Sequence, residues 1–225
     1  MSVQTTNRCG VLEAAARHKG LPAFLAFAMI VAMAVFPAWN KASAATTPAM
    51  KAGVAASDTW VMQSQLVDGS SSQTVDLLTL TLHTTNPEDV EFSVTAECAV
   101  AWSSMISIGS VDTKAAVKVW VEVDGVAVPV SPSAGDDGKV TFCSRDTQLD
   151  ASIPGGFFSL YEKTKAANAF NWVLANAGVG THTVVVKGRL DAYVTDMSGT
   201  GSAKAGVGRR TLTAEPVHLT NDATF

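Results

Sequence analysis

Apolar side chains recur at every second position through most of the chain beyond residue 74, the spacing that buries one face of a β-strand and leaves the other polar. Leu78, Leu80 and Leu82 alternate with Thr79, Thr81 and His83. Phe92, Val94, Ala96, Cys98, Val100 and Trp102 share one face while Glu91, Ser93, Thr95 and Glu97 take the other, so the Cys98 thiol points inward. Val117, Val119, Val121 and Val123 alternate with Lys118, Trp120, Glu122 and Asp124. Further segments follow at Lys139–Arg145, Val184–Val194, Ala203–Val207 and Thr211–Leu219.

Turn signals separate these runs. Asn86-Pro87-Glu88-Asp89 reverses the chain, because proline fixes φ and asparagine readily starts a turn. Asp124-Gly125 between alternating strands predicts a two-residue hairpin of type I′, which needs positive φ at both positions. Pro129 places the returning strand at an edge or ends it there, and the Gly- and Asp-rich loop Ser131–Gly138 follows. Phe142 and Cys143 pose a parity problem: if Phe142 faces the core, only a bulge or a strand end turns the thiol toward Cys98. Within 157–177 the helix formers Lys163, Lys165, Ala166 and Ala167, with Gly178 beyond, suggest a short helical turn over Lys165–Ala169 and extended chain over Ala169–Leu174. The whole reads as an all-β antiparallel sandwich of about seven or more strands with one short helix.

The beginning of the chain follows a different pattern. Arg8, Arg17 and Lys19 precede the uncharged run Leu21–Trp39, and Ala42-Ser43-Ala44 comes after it. A basic lead, an apolar middle and an A-x-A site are the parts of a secretory signal. Those uncharged residues could also span a bilayer as a retained anchor, but Pro22, Pro37 and the many alanines weaken that reading. The expected division is therefore a signal over 1–44, a mobile N-terminal segment over 45–58 and a β-sandwich over 59–225. No membrane span is expected after cleavage, and the protein is expected to be secreted, periplasmic or held at the cell surface.

Residues 45–225 hold 12 Lys and Arg against 19 Asp and Glu, a balance of −7, against −4 for the full chain. Such a surface disfavours nucleic acid and anionic lipid as partners. Cys9 leaves with the signal, so Cys98 and Cys143 remain, and an even pair in an oxidising compartment reads as a disulfide.

Val-Glu-Val-Asp-Gly at 121–125 and Gly-Thr-His-Thr-Val-Val-Val at 180–186 resemble segments of immunoglobulin-like, fibronectin-like and carbohydrate-binding jelly-roll domains. The resemblance implies a secreted sandwich and, through the jelly rolls, sugar binding.

Candidate chemistry is sparse. The sequence has no Gly-x-Ser-x-Gly elbow, and Ser70, Ser71 and Ser72 beside Gly69 look like a linker. His83, His182 and His218 stand on separate segments rather than at metal-ligand spacing. Asp136, Asp137, Asp146 and Asp150 cluster around one loop and the following strand, where calcium is the candidate ligand and a solvated turn the plain alternative. Trp120 lies among Lys118 and Glu122 on the polar face, where an open indole could stack on a sugar or fill a partner's pocket. The plainer and favoured alternative is that the 157–177 segment covers that face and makes Trp120 structural, whereas Trp102 and Trp172 sit among core residues. The leading expectation is a non-catalytic extracytoplasmic sandwich acting in binding or surface assembly, with glycan or a cell-surface protein as partner and a carbohydrate-binding module as the narrower form. No cofactor is required by that reading. The rival is a secreted hydrolase whose carboxylate or metal chemistry the spacing hides.

Overall fold

Residue alternation is sustained over unusually long strands. The computed structural model describes residues 52–66, 68–131, 133–196 and 199–219, and they form ten strands with no helix among them. The order is β1 (Gly53–Ser57), β2 (Val61–Gln65), β3 (Gly69–Thr84), β4 (Glu88–Ile106), β5 (Ile108–Val123), β6 (Val126–Ala127), β7 (Val140–Ser152), β8 (Phe158–Ala177), β9 (Gly180–Asp196) and β10 (Gly199–Val217). Strand β8 spans 20 residues, where strands commonly have about 5 or 6. The expected export signal, residues 1–44 with Ala42-Ser43-Ala44, lies outside the described residues.

Two antiparallel sheets pack face to face. In the first, β10 and β4 are central, β8 forms one edge, and β1 and β2 lie end to end along the other side of β10. In the second, β9 and β5 are central, β3 forms one edge, and β6 and β7 share the far side of β5. The core between them is built from the inward residues of each strand. In β4 these are Val90, Phe92, Val94, Ala96, Cys98, Val100 and Trp102, all buried; Leu212 of β10 lies beside Val94 in the same sheet, and Val117, Val119, Val121 and Leu190 face them from the second sheet. Trp102 and Trp172 are core residues, as the pattern predicts.

The Asp124-Gly125 hairpin has the expected geometry, with φ of 52° and 82° at its two turn residues. The returning β6 ends at Ala127, two residues before Pro129. The parity problem at Cys143 is settled by a bulge: Val117 pairs with Cys143 and Lys118 with Thr141, so Phe142 is the extra residue and both side chains turn inward. The Cys98–Cys143 disulfide therefore joins β4 of one sheet to β7 of the other, with Cα atoms 6.3 Å apart. It is reinforced by β8, whose Trp172 Nε1 donates to the Gly138 carbonyl at 2.8 Å and whose Asn168 Nδ2 donates to the Phe142 carbonyl at 2.7 Å.

Two expectations need correction. Lys165–Ala169 is not helical but lies in the middle of β8, paired residue for residue with Thr95–Ala99 of β4. Local helix propensity is a weak preference, and pairing with β4 along the whole length of the strand outweighs one isolated, costly-to-nucleate turn. Residues 45–58 are not uniformly irregular either, because Gly53–Ser57 form β1 against Arg210–Ala214. Alternation is hidden there by small side chains, yet Ala55 packs against the core and the edge of β10 supplies the hydrogen-bond partners.

No helix among the described residues is long and apolar enough to cross a membrane. The disulfide fits an oxidising compartment. Replacing both cysteines, Cys98→Ala with Cys143→Ala, is expected to lower stability by about 2–5 kcal/mol, the usual loss for a native bridge in a small secreted domain. Chemical denaturation of the double variant checks this, and an unchanged midpoint would show that the bridge contributes nothing.

Candidate binding surface

The aromatic singled out by sequence is not open. Trp120 does lie on the outer face of β5, but it is only 5% exposed. Its Nε1 donates to Glu122 at 2.8 Å, and Lys139 Nζ sits 5.2 Å from the ring centroid where the chain returns alongside β5. Neither indole face can meet a sugar, so Trp120 is no platform but structural, and the residue over it is Lys139 rather than any in 157–177.

The aspartates do not form one site. Asp136 holds its own loop by accepting from the backbone N–H groups of Ser131 and Gly138, both at 2.7 Å, and these bonds lower its pKa. Asp137 pairs with Lys139, Asp146 with Lys114 at 3.1 Å, and Asp150 accepts from Gln148. Asp146 and Asp150 lie along β7, opposite Lys114 and Ser110, far from the loop that carries the other two. Among the described residues no three His, Cys, Asp or Glu side chains converge as a metal would require.

The two segments that carry the sandwich resemblance meet in space. Asp124, at the β5–β6 turn, accepts from His182 Nδ1 at 2.7 Å and from the Thr183 N–H at 2.8 Å. His182 Nε2 faces the Gly178 carbonyl at 2.8 Å, and the Thr84 hydroxyl, beside that nitrogen, also bonds Gly178. Flanked by two acceptors, the imidazole favours its doubly protonated form: the Asp124 bond first, then the Gly178 carbonyl, raise its pKa, while His182 lowers that of Asp124. This is a pin between two loops rather than a reaction centre. His83 bonds Thr181, and His83 and His182 do not share a ligand.

Among the described residues the open tryptophan is Trp60, which no alternation pattern marks because it stands in the link between β1 and β2. Three irregularities coincide around it. Strand β10 bulges between Val207 and Arg210, β1 and β2 part opposite that bulge, and β3 bulges between Asp76 and Leu78. Arg210, 6% exposed, closes all three: it donates from Nε to Leu77 O at 3.0 Å and from Nη1 to Thr59 O at 2.6 Å and Gly208 O at 2.8 Å. Buried carbonyls left unpaired at bulges are costly, and one guanidinium supplies the missing donors.

Held by its neighbour Thr59, the Trp60 indole lies flat against β10. A Cβ on Gly208 would stand 2.5 Å from Trp60 Cζ2, and one on Gly206 3.7 Å from Cε3, so the ring rests on two glycines of one strand face. Its other surroundings are Lys165, whose Nζ is 5.1 Å from the ring centroid, and Glu97, which pairs with Lys165 at 2.9 Å. Trp60 remains 42% exposed. The alternating Gly206-Val207-Gly208 is the only signal the sequence offers, since glycines two apart leave one sheet face bare where an aromatic can cover it. Beside the ring lies an open recess lined by Ala56, Ser57, Asp58, Arg209, Arg210 and Thr211.

No protein-family model and no curated protein matches the chain. Among solved structures, the chain is similar to that of an infectious bursal disease virus Gx strain, with 12% identity over 77% of this chain and 38% of the other and a TM-score of 0.26. A CocE/NonD family hydrolase from Staphylococcus aureus is similar over 76% of this chain and 37% of its own, with 10% identity and a TM-score of 0.18. The chain thus spans less than half the length of either, and similarities at this level carry no argument.

Two predictions follow from the geometry around these residues. Arg210→Met removes the donors of three carbonyls and is expected to cost on the order of 3–5 kcal/mol, measured by denaturant unfolding; a loss below about 1 kcal/mol would show that other groups satisfy them. The Asp124–His182 pin predicts a pH signature. His182 stabilises the fold fully below its ordinary value of 6.5 and loses that contribution as pH rises through its raised folded pKa; Asp124 contributes above 3.8 and fails only in stronger acid. The melting-temperature gap between the native chain and His182→Gln should therefore be wide near pH 5.5 and narrow by pH 8.5 (about one to two units either side of the His range). A gap independent of pH would remove the charged pair from the explanation.

Proposed function

We propose that the protein is a non-catalytic extracytoplasmic β-sandwich that binds carbohydrate, with Trp60 as its stacking platform. The observation that carries this reading is the seat of that indole: flat on Gly206 and Gly208, anchored through Thr59 by Arg210, and still 42% exposed. A pyranose ring presents an apolar face of CH groups edged by hydroxyls, and it is matched by a rigid aromatic plane with polar groups at its rim. Lys165, whose Nζ lies over the ring 5.1 Å from its centroid, and its partner Glu97 supply donors and an acceptor there. The flexible lysine side chain must move aside as a sugar stacks, which the 42% exposure of Trp60 permits where the 5% of Trp120 does not. Preorganisation matters as much as contact, because a platform already fixed in the free protein pays little ordering entropy on binding.

Export by the N-terminal signal and an oxidising location belong to the same proposal, supported by the basic, apolar and small-residue layout of residues 8–44 and by the Cys98–Cys143 bridge. A hydrolase would gather acids in a cleft, whereas Asp136 is spent on its own loop, Asp137 and Asp146 on ion pairs and Asp150 on a hydrogen bond from Gln148.

Trp60→Ala is expected to weaken binding of the recognised glycan by about 1–3 kcal/mol, the range for loss of a central aromatic contact, as read by titration calorimetry after a glycan-array screen. Gly208→Ala supplies an independent check, since its new Cβ must push the ring off its seat while the indole itself remains. Its expected signature is weakened binding with altered tryptophan fluorescence. Binding unchanged in both variants would place the ligand elsewhere.

A further inference from the structure

We propose that the ligand is an acidic glycan chain, held in a lane that runs from Trp60 along the outer face of the first sheet to Tyr161; this rests on the carbohydrate-binding reading above. The floor of the lane is set by register. Gly206 of β10 pairs with Ala99 of β4, which pairs with Lys165 of β8; in the next outward row Lys204, Ala101 and Lys163 stand side by side; in the one after, Ser202, Ser103 and Tyr161. The middle strand thus presents only Ala99, Ala101 and Ser103, while taller side chains rise on both flanks. Lys163 and Lys204 are separated by two strand spacings, about 10 Å, across that low floor. Trp60 and Tyr161 mark its ends four residues apart along the strands, about 13 Å, which is longer than one pyranose ring.

Charge selects the ligand. On the second sheet most cations are already paired: Lys114 with Asp112 and Asp146, Lys139 with Asp137, Lys187 with Asp76 and Glu122, and Arg189 with Asp191, beside which Lys118 also stands. Along the lane, Lys163, Lys204 and Arg209 are exposed and take part in none of the ion pairs among the described residues. Of the acids near the ring, Glu97 is occupied by Lys165 and by the Arg209 backbone N–H, and Asp58 lies in the recess beside Arg209. In a chain of net charge −4, three cations outside any ion pair thus stand on the face that carries the exposed indole, with Arg209 also within the field of Glu97. An anion there gains local attraction without competing for a carboxylate, and the surrounding negative surface turns other polyanions away. Tyr161, 66% exposed on the same face, offers the second ring.

The test compares polygalacturonate and heparin as acidic probes with cellohexaose and dextran as neutral ones, against the native chain, Trp60→Ala, Tyr161→Ala and the double variant Lys163→Ala with Lys204→Ala. The expected result is tighter binding of an acidic probe, weakened at least tenfold by the double lysine variant and by Trp60→Ala, less so by Tyr161→Ala, and falling with salt more steeply in the native chain than in the lysine variant. Because Tyr161, Lys163 and Lys204 project from the surface, unchanged melting temperatures are expected to accompany their losses, whereas Trp60→Ala also uncovers Gly206 and Gly208 and is read alongside its own melting curve. Neutral and acidic probes bound alike, with the lysines dispensable and Trp60 required, would overturn the acidic lane while leaving the carbohydrate reading in place. Retention of no glycan at all would overturn both. Duplex DNA bound as tightly as polygalacturonate and indifferent to Trp60→Ala would reduce the lane to a basic patch and also reject it.

Discussion

One buried cation decides how the first sheet can be irregular without coming apart. A strand bulge frees backbone groups, and here three breaks, in β10, in β3 and between β1 and β2, fall on one spot in the sandwich. Arg210 reaches a carbonyl in each. Burial works against its charge, which only the field of Asp58 supports. The compensation is geometric: a planar fork of donors satisfies acceptors on separate strands, which a lysine's single ammonium would meet less well. Because the clamp includes Thr59, the backbone beside the exposed indole is fixed from inside the core.

The opposite side of the sandwich is closed by different means. There β7 and β8 lie at the margins of different sheets, and covalent and hydrogen-bonded ties take the place of strand pairing: the Cys98–Cys143 bridge, Trp172 to Gly138, Asn168 to Phe142, and the ion pair of Arg145 with Glu162. With each margin fastened separately, the two outer faces are free to differ. That of the second sheet is tiled by paired charges and covers Trp120. That of the first is low, built on alanine, serine, threonine and glycine along β4 and β10.

Much of this was legible in the residues. A period of two located the strands of the core, and the same rule, applied to Phe142 and Cys143, required either a bulge or a strand end for the disulfide to form, of which the structure has the bulge. The Asp124-Gly125 turn followed from its need for two positive φ values. What alternation could not show was anything that depends on a partner strand. Lys165–Ala169 has helix-forming side chains, and only its pairing with β4 makes it extended. Gly53–Ser57 has too few large side chains to display a period, and only the free edge of β10 makes it a strand.

The two tryptophans of the outer faces show where sequence reasoning reaches its limit. Alternation correctly put Trp120 on the outside of β5, yet outside is not the same as open, because openness is a property of the neighbouring strands. Lys139 arrives over Trp120 from a chain segment that returns alongside it, and Glu122 takes its only donor. Trp60 belongs to no alternating run, but it meets glycines where another residue type would lift or tilt it. A stacking surface thus needs an absence as well as a presence: side chains missing beneath the ring to seat it, and low side chains beside it so that a ligand can approach. The Gly206 and Gly208 pair supplies the first, and Ala99 and Ala101 the second, on strands that pair only after the chain has folded.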